Sequence, residues 1–435
     1  MPESIYLRTA LEAANYLEEL EIQENGGIYW DISQAFKGEW RYYDSISLYA
    51  GSSGIIKFFL DLYESTGDNI YYEKAIKAGF HILNRLNQDD HLDKAFSKYA
   101  MTTGLGGLAF ILDELYDKSD DSRFFNAVKT ILNKIVLDSQ ETGAWSEQIG
   151  IVADSGTALL LLKLADKYEI TQAKSVLVRF GDYILSKRQV DSEGQVYYVG
   201  LNLDYVGGPH GKFNTGFPLG PGGVAYTLLK LWEYTGERRF LEGANGIDDF
   251  YKHYSIDKEK LLFPHYLPDD DEHICYVGYC GGPVGVARYF YQAYLTTKNK
   301  QYLENFKQSV DGLSLVNAPY ERSEGYWQVN NYCCGTAGIL QLFIGAYLIT
   351  QEEKYLRLAE DTGNILVERA KKVNGKVFWE QAFERKVPDN ITIGIGYYDG
   401  EAGIAASLLQ LDSLLKGNFQ AVRFVDDPFP ESLVD

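Results

Sequence analysis

Only 4 cysteines, 2 methionines and 6 histidines occur in this chain of 435 residues. Four cysteines cannot make a disulfide framework for a chain this long, so the fold must rest on an apolar core. The composition allows one, with 46% hydrophobic and 23% charged residues, well away from the disordered regime. No apolar run approaches the ~18 residues of a membrane span, and no charged-then-apolar leader opens the sequence. A cytoplasmic protein without a membrane span is expected. Positive charge is also scarce: 41 basic residues face 61 acidic ones, a net charge of −20. Such a surface repels phosphate backbones and makes nucleic acid an unexpected partner.

What is present is a repeat. Gly51-Ser52-Ser53-Gly54 opens an apolar run, and the same pattern returns at Gly104, Ala153, Gly220, Gly282, Gly335 and Gly400, in steps of 53, 49, 67, 62, 53 and 65 residues. The spacing is too regular for accident and too loose for a tightly stacked solenoid. Amphipathic segments alternate with the apolar ones, as over 4–21, 68–86, 122–137, 171–187, 239–253, 301–315 and 353–371. A helix apolar on all sides must be buried, and a helix with one apolar stripe can cover it. The pattern therefore predicts an all-α fold of seven helical hairpins, seven inner helices sheathed by seven outer ones, in a single domain over 1–435. The glycines let backbones approach closely where the inner helices begin, and the helix N-termini gathered there carry partial positive charge that favours anions such as thiolates. The long connections over 191–216, 264–279, 319–331 and 376–397 are rich in aromatic residues and are expected to be ordered. The segment from Gly417 to Asp435 reads as a surface strap.

Three of the four cysteines fall at two of these helix starts, in Tyr279-Cys280-Gly281-Gly282-Pro283 and Tyr332-Cys333-Cys334-Gly335. Cysteine often serves as a small buried apolar residue, but two side by side before a glycine ask for another explanation. Thiolates are soft ligands suited to zinc, and three protein ligands leave a fourth tetrahedral position open to a substrate, as in catalytic rather than structural zinc sites.

With seven glycine-pair hairpins, the Cys-Gly-Gly-Pro run at Cys280 and the Cys-Cys-Gly run at Cys333, the sequence resembles the lanthionine synthetase C-like family of lanthipeptide cyclases over nearly its whole length. The resemblance implies an α,α-toroid with zinc at one end of the inner barrel, held here by Cys280, Cys333 and Cys334. Three features depart from the family pattern. Cys334 stands where most members carry histidine. Leu219, in Asn214-Thr215-Gly216-Phe217-Pro218-Leu219-Gly220, replaces the histidine proposed to protonate the enolate. Near Ile149 the expected aspartate is missing, with only Glu147 and Asp154 close by. His210, in the glycine-rich run Gly207-Gly208-Pro209-His210-Gly211, is the preferred substitute acid–base residue, since histidine titrates near neutrality. It ranks ahead of His265, His273 and the tyrosines Tyr205, Tyr279 and Tyr332, while Cys275 is expected to be a free thiol rather than a fourth ligand.

The function implied is zinc-dependent addition of peptide cysteine thiolates to dehydroalanine or dehydrobutyrine, giving thioether rings. Its partner would be a dehydrated precursor peptide, with the dehydro residues made by a separate dehydratase. Addition of a small thiol such as glutathione to dehydrated peptides is a second enzymatic possibility. From another class comes a zinc-stabilised toroid that only binds modified peptides or scaffolds a complex. A helical-toroid glycosidase needs two carboxylates across a cleft and leaves the cysteines unexplained.

Overall fold

The computed structural model describes residues 3–32, 45–86, 97–269 and 273–433; of the acidic run over 269–272, only Asp269 lies among them. Helix α1 (Ile5–Glu19) precedes six hairpins. These are α2 (Ser52–Thr66) with α3 (Asn69–Leu86), α4 (Leu105–Ser119) with α5 (Ser122–Leu137), and α6 (Asp154–Leu164) with α7 (Ala173–Ser186). Next, α8 (Pro221–Thr235) pairs with α9 (Arg238–Gly243) and α10 (Ile247–Tyr254), then α11 (Pro283–Thr297) with α12 (Lys300–Gly312), and α13 (Thr336–Thr350) with α14 (Glu353–Arg369). The seventh inner helix, α15 (Glu401–Leu415), packs on α1 as its outer partner.

Neighbouring inner helices touch in the order α2, α4, α6, α8, α11, α13, α15, and α15 touches α2 again, so the inner ring is closed. Burial follows the patterns that predicted it. α13 is buried on nearly every face, whereas α12 buries only Asn305, Phe306, Ser309, Val310 and Gly312. The segment expected as one helix over 239–253 is two, because Gly246 adopts a left-handed φ of 88° and breaks it. Besides the helices, the connections carry five short two-stranded antiparallel ladders among the described residues.

The glycine pairs have a specific steric task. The second of each pair lies where the chain entering the helix folds back beneath its first turn. A Cβ on Gly285 would stand 2.0 Å from the Tyr279 carbonyl oxygen, and one on Gly338 would stand 2.3 Å from that of Tyr332. The entering turns are then stitched to one another around the ring by main-chain hydrogen bonds. Tyr49 N donates to Thr102 O (2.8 Å), Tyr398 N to Tyr49 O (3.0 Å), Cys333 N to Tyr398 O (2.9 Å) and Cys280 N to Cys333 O (3.2 Å). Both cysteine runs are therefore links in one rim.

The C-terminal segment is not a surface strap. Phe424, Val425 and Phe429 are buried, and Phe424 packs against Tyr332, Tyr397, Tyr398 and, across the ring, Phe110. Its polar residues serve buried partners. Asp426 accepts from the Tyr279 hydroxyl, and Asp427 lies near Arg423 (3.4 Å) and near Arg288 (4.0 Å), whose side chain is 0% exposed. The tail fills the barrel beneath the rim because a ring of seven helices is too wide for its own side chains to close.

This packing sets two expectations that unfolding experiments can check. Removing a buried phenylalanine typically costs about 3–5 kcal/mol, so Phe424→Ala should lose that much in urea unfolding, while Val422→Ala, 43% exposed, should lose less than about 0.5 kcal/mol. Equal effects at both positions would place the tail outside the core. The second concerns Lys57, buried between Asp61 and Glu114. Burial pushes Glu114 up from 4.5 to about 7, Lys57 opposing the shift and Asp61 adding to it. The folded state then holds a proton that the unfolded chain releases, so this contribution to stability is present at low pH and is lost as pH rises from about 4.5 through about 7. Replacing Glu114 by Gln should flatten the decline of stability between pH 5 and 8; an unchanged slope would assign the decline to other groups.

Candidate metal centre

The rim brings Cys280, Cys333 and Cys334 together, with their three sulfur atoms all within 4.8 Å of one another. The Cys280 and Cys334 sulfurs are 3.2 Å apart, and all three residues are free thiols rather than a disulfide. The backbone makes this convergence possible. Cys280 and Cys333 are joined directly by the rim hydrogen bond, while the Cys334 amide donates to Asn331 Oδ1 at 2.9 Å. Gly278 lets the Cys334 backbone lie against the approach to Cys280, since a Cβ there would be 2.6 Å from Cys334 Cα. Gly216 does the same from the fourth repeat, where a Cβ would meet Cys280 O at 2.0 Å.

Three thiols this close cannot titrate independently. Hydrogen bonds from Cys280, Cys334 and Tyr49 hold the Cys333 thiol well below the usual range, while the bond to Cys333 pushes Cys280 well above it and the bonds to Cys280 and Cys333 do the same to Cys334. A divalent cation among the three sulfurs would favour their thiolate forms. The size suits zinc: with Zn–S distances of ~2.3 Å, tetrahedral geometry sets the sulfurs ~3.8 Å apart, a little more than the Cys280–Cys334 separation of 3.2 Å and less than the 4.8 Å within which all three sulfurs lie. Cys333 is buried, whereas Cys280 and Cys334 are half-buried, so the cluster has an open side. Cys275 is not among the three, and burial pushes its thiol up to about 11.

The other residues singled out from the sequence scatter. His210 is 93% exposed on an outer loop, where its Nδ1 lies 2.9 Å from Asp204 Oδ1. His273 is likewise exposed and pairs with Asp269. Tyr279 and Tyr332 turn their hydroxyls down into the barrel, to Asp426 and Arg288, and Tyr205 is exposed. Asp154 is fully buried and its carboxylate accepts from the amides of Trp145, Ser146 and Glu147, which commits it to holding that loop.

His265, ranked lower from the sequence, is the described histidine that lies against a ligand-bearing turn. A Cβ on Gly281, the residue after Cys280, would stand 2.5 Å from its Nδ1. Its ring stacks on Tyr276 at 3.8 Å and 19°, and the Asn214 amide nitrogen is 3.3 Å from both ring nitrogens. Asn214 belongs to the run that contains Leu219, so the fourth and fifth repeats meet at this imidazole. The sequence signal for it is Gly281 itself, a position with no side chain beside a candidate ligand. Sequence reasoning missed Tyr49 altogether; its phenol reaches Cys333 from the first repeat, across the closure of the ring.

Comparison with known proteins agrees with this architecture. The fold superimposes on nisin cyclase with a TM-score of 0.61 at 15% identity, covering 85% of this chain and 89% of that one. A Listeria innocua protein matches with a TM-score of 0.50 at 14% identity over 94% of this chain and 98% of that one. At these identities the likeness is one of fold. No curated protein is significantly similar in sequence. The model of the family described as lanthionine synthetase C-like protein matches residues 42–422, a span that includes all seven helix starts and the three clustered cysteines, and the chain therefore belongs to the lanthionine synthetase C-like family.

Proposed function

We propose that this protein is a zinc-dependent cyclase that joins cysteine thiolates of a peptide to dehydroalanine or dehydrobutyrine residues, forming thioether rings. The observation that carries this reading is the convergence of three cysteine sulfurs at a half-open rim. Zinc bound there would lower the pKa of an incoming thiol and hold it as a thiolate. The chain's own part is to hold three ligand sulfurs on turns that the rim fixes in place, which keeps the site assembled before substrate arrives. Cys334 adds a third sulfur where a neutral imidazole would leave the site more electropositive. More donated charge makes a bound substrate thiolate more nucleophilic, in line with the rise of thiolate nucleophilicity with basicity.

The substrate in this reading is a peptide already dehydrated by a separate enzyme. We infer a cytoplasmic site of action; among the described residues no helix is long and apolar enough to cross a membrane. His210, the acid–base residue preferred from the sequence, is 93% exposed beside Asp204, and His210→Ala tests whether it takes part in this reaction. A second reading, a zinc-stabilised toroid that only binds modified peptides, is favoured by one observation. The fourth-repeat helix start presents apolar Leu219 and the third commits Asp154 to its own loop.

The purified protein should carry one zinc per chain, and a Cys333→Ala, Cys334→Ala double variant should retain less than about half an equivalent, since each ligand lost weakens binding. Full retention by that variant would move the metal elsewhere. With zinc confirmed, wild type should accelerate thioether formation on a dehydrated peptide above a zinc-free control. Retention of the peptide without turnover would favour the binding reading, and reaction only with added glutathione would favour small-thiol addition. Cys334→His should keep its zinc, since imidazole is a competent ligand, and should form rings more slowly. A Cys334→His rate equal to wild type would remove the role given to the third thiolate.

A further inference from the structure

Addition of a thiolate to the β-carbon of a dehydro residue leaves an enolate, and the reaction is complete only when the α-carbon takes a proton. The thiol that became the thiolate has given up its proton, and an acid held beside the site would return one faster than bulk water and to a fixed face. His81 stacks on Tyr29 beside Glu24, and His210, His253 and His273 pair with Asp204, Glu193 and Asp269 on the outside of the molecule. Only His265 among the described histidines packs on a turn that carries a sulfur ligand. Resting on the cyclase reading above, we propose that His265 is the proton donor to the enolate.

Three features of the geometry support this assignment. Any side chain at position 281 would collide with the imidazole, because even a Cβ would stand 2.5 Å from Nδ1 and 2.7 Å from Cε1. The missing side chain at Gly281 is thus what lets the ring reach the turn that bears Cys280. The ring is also held in a defined orientation. Tyr276 stacks on it at 3.8 Å, Tyr266 lies at 4.1 Å, and Asn214 approaches its nitrogens. Its backbone is anchored on both sides, the amide donating to Ile274 O at 2.8 Å and the carbonyl accepting from Thr215 N at 3.1 Å. Finally, the stacking partner extends the unit toward the second ligand turn, since the Tyr276 phenol interacts electrostatically with both Cys334 and Arg385. The His265–Tyr276 pair therefore runs from the turn that bears Cys280 toward Cys334.

The bonds balance without an added reagent. A sulfur lone pair forms the C–S bond to the β-carbon, and the Cα=Cβ electron pair moves into the enolate. As the carbonyl re-forms, the α-carbon takes the proton from His265, which is reprotonated from solvent. A donor fixed on one side of a planar enolate delivers to one face only, so this role has a stereochemical signature that a merely structural role lacks.

The test uses full-length, zinc-loaded protein and a dehydrated peptide with one cysteine. His265→Gln should keep one zinc, lose roughly 10²–10⁴-fold in ring formation, and give both configurations at the α-carbon by chiral analysis of the hydrolysed product. Gly281→Ala, which retains the histidine but displaces its ring, should show the same mixed product and serves if His265→Gln fails to fold. Zinc alone is a second probe. In protein labelled at histidine, adding zinc should move the imidazole signal that is missing from His265→Gln. Wild-type rate with a single configuration in His265→Gln, an unmoved imidazole signal, or the same losses in His210→Ala instead would overturn the assignment. A wild type that forms no thioether at all defeats the cyclase reading itself, and the assignment with it.

Discussion

The close approach of main chain to main chain at the helix starts is the constraint on which this structure depends. Seven chain segments must turn beneath seven helices within one small circle, and the turns meet through backbone hydrogen bonds from Thr102 through Tyr49, Tyr398 and Cys333 to Cys280. Side chains on the second glycines would fill the space that the turns occupy. The chemistry inherits its precision from this stitching, because two of the three sulfurs sit on residues that bond to each other. A site assembled from loops on separate hairpins would otherwise depend on how each hairpin breathes.

Electrostatics divides the barrel into two regions. At the rim, three soft sulfur donors converge. Below it, the tail brings Arg423, Asp426 and Asp427 among Arg288, Lys57 and their acidic neighbours, where burial makes every unpaired charge costly. The aromatic layer of Tyr279, Tyr332, Tyr397, Tyr398 and Phe424 separates the two. Two of these tyrosines immediately precede clustered cysteines in the chain, so packing in the plug and the placing of the sulfurs at the rim are coupled over single residues.

Periodicity and spacing make most of this architecture legible in the amino-acid sequence. Glycine pairs mark a physical necessity of close approach, so the inner helices, their closure into a ring and the cysteine trio can all be read from them. The third start is readable only in part, because Ala153 and Asp154 replace the usual glycine and the carboxylate ties down a loop instead. The tail misleads because Phe424, Val425 and Phe429 are scattered among aspartates and prolines, a composition that resembles solvated chain. The sequence places His210 ahead of His265, but both lie in long connections whose path is set by tertiary contacts, and it is His265 that the fold brings against the Cys280 turn. A glycine at position 281 is visible, but the ring that fills its vacant side comes from the residue just before a strand, Tyr266–Leu267, that pairs with Phe213–Asn214 at the fourth repeat.

The central claim, that three cysteines on a backbone-stitched rim form an open zinc site, is tested most directly by X-ray absorption at the zinc edge of the purified protein. Three sulfur neighbours at ~2.3 Å and one lighter ligand at ~2.0–2.1 Å are expected. Four sulfurs would show that Cys275 closes the site, and a shell of nitrogen and oxygen alone would show that the metal is not held by Cys280, Cys333 and Cys334.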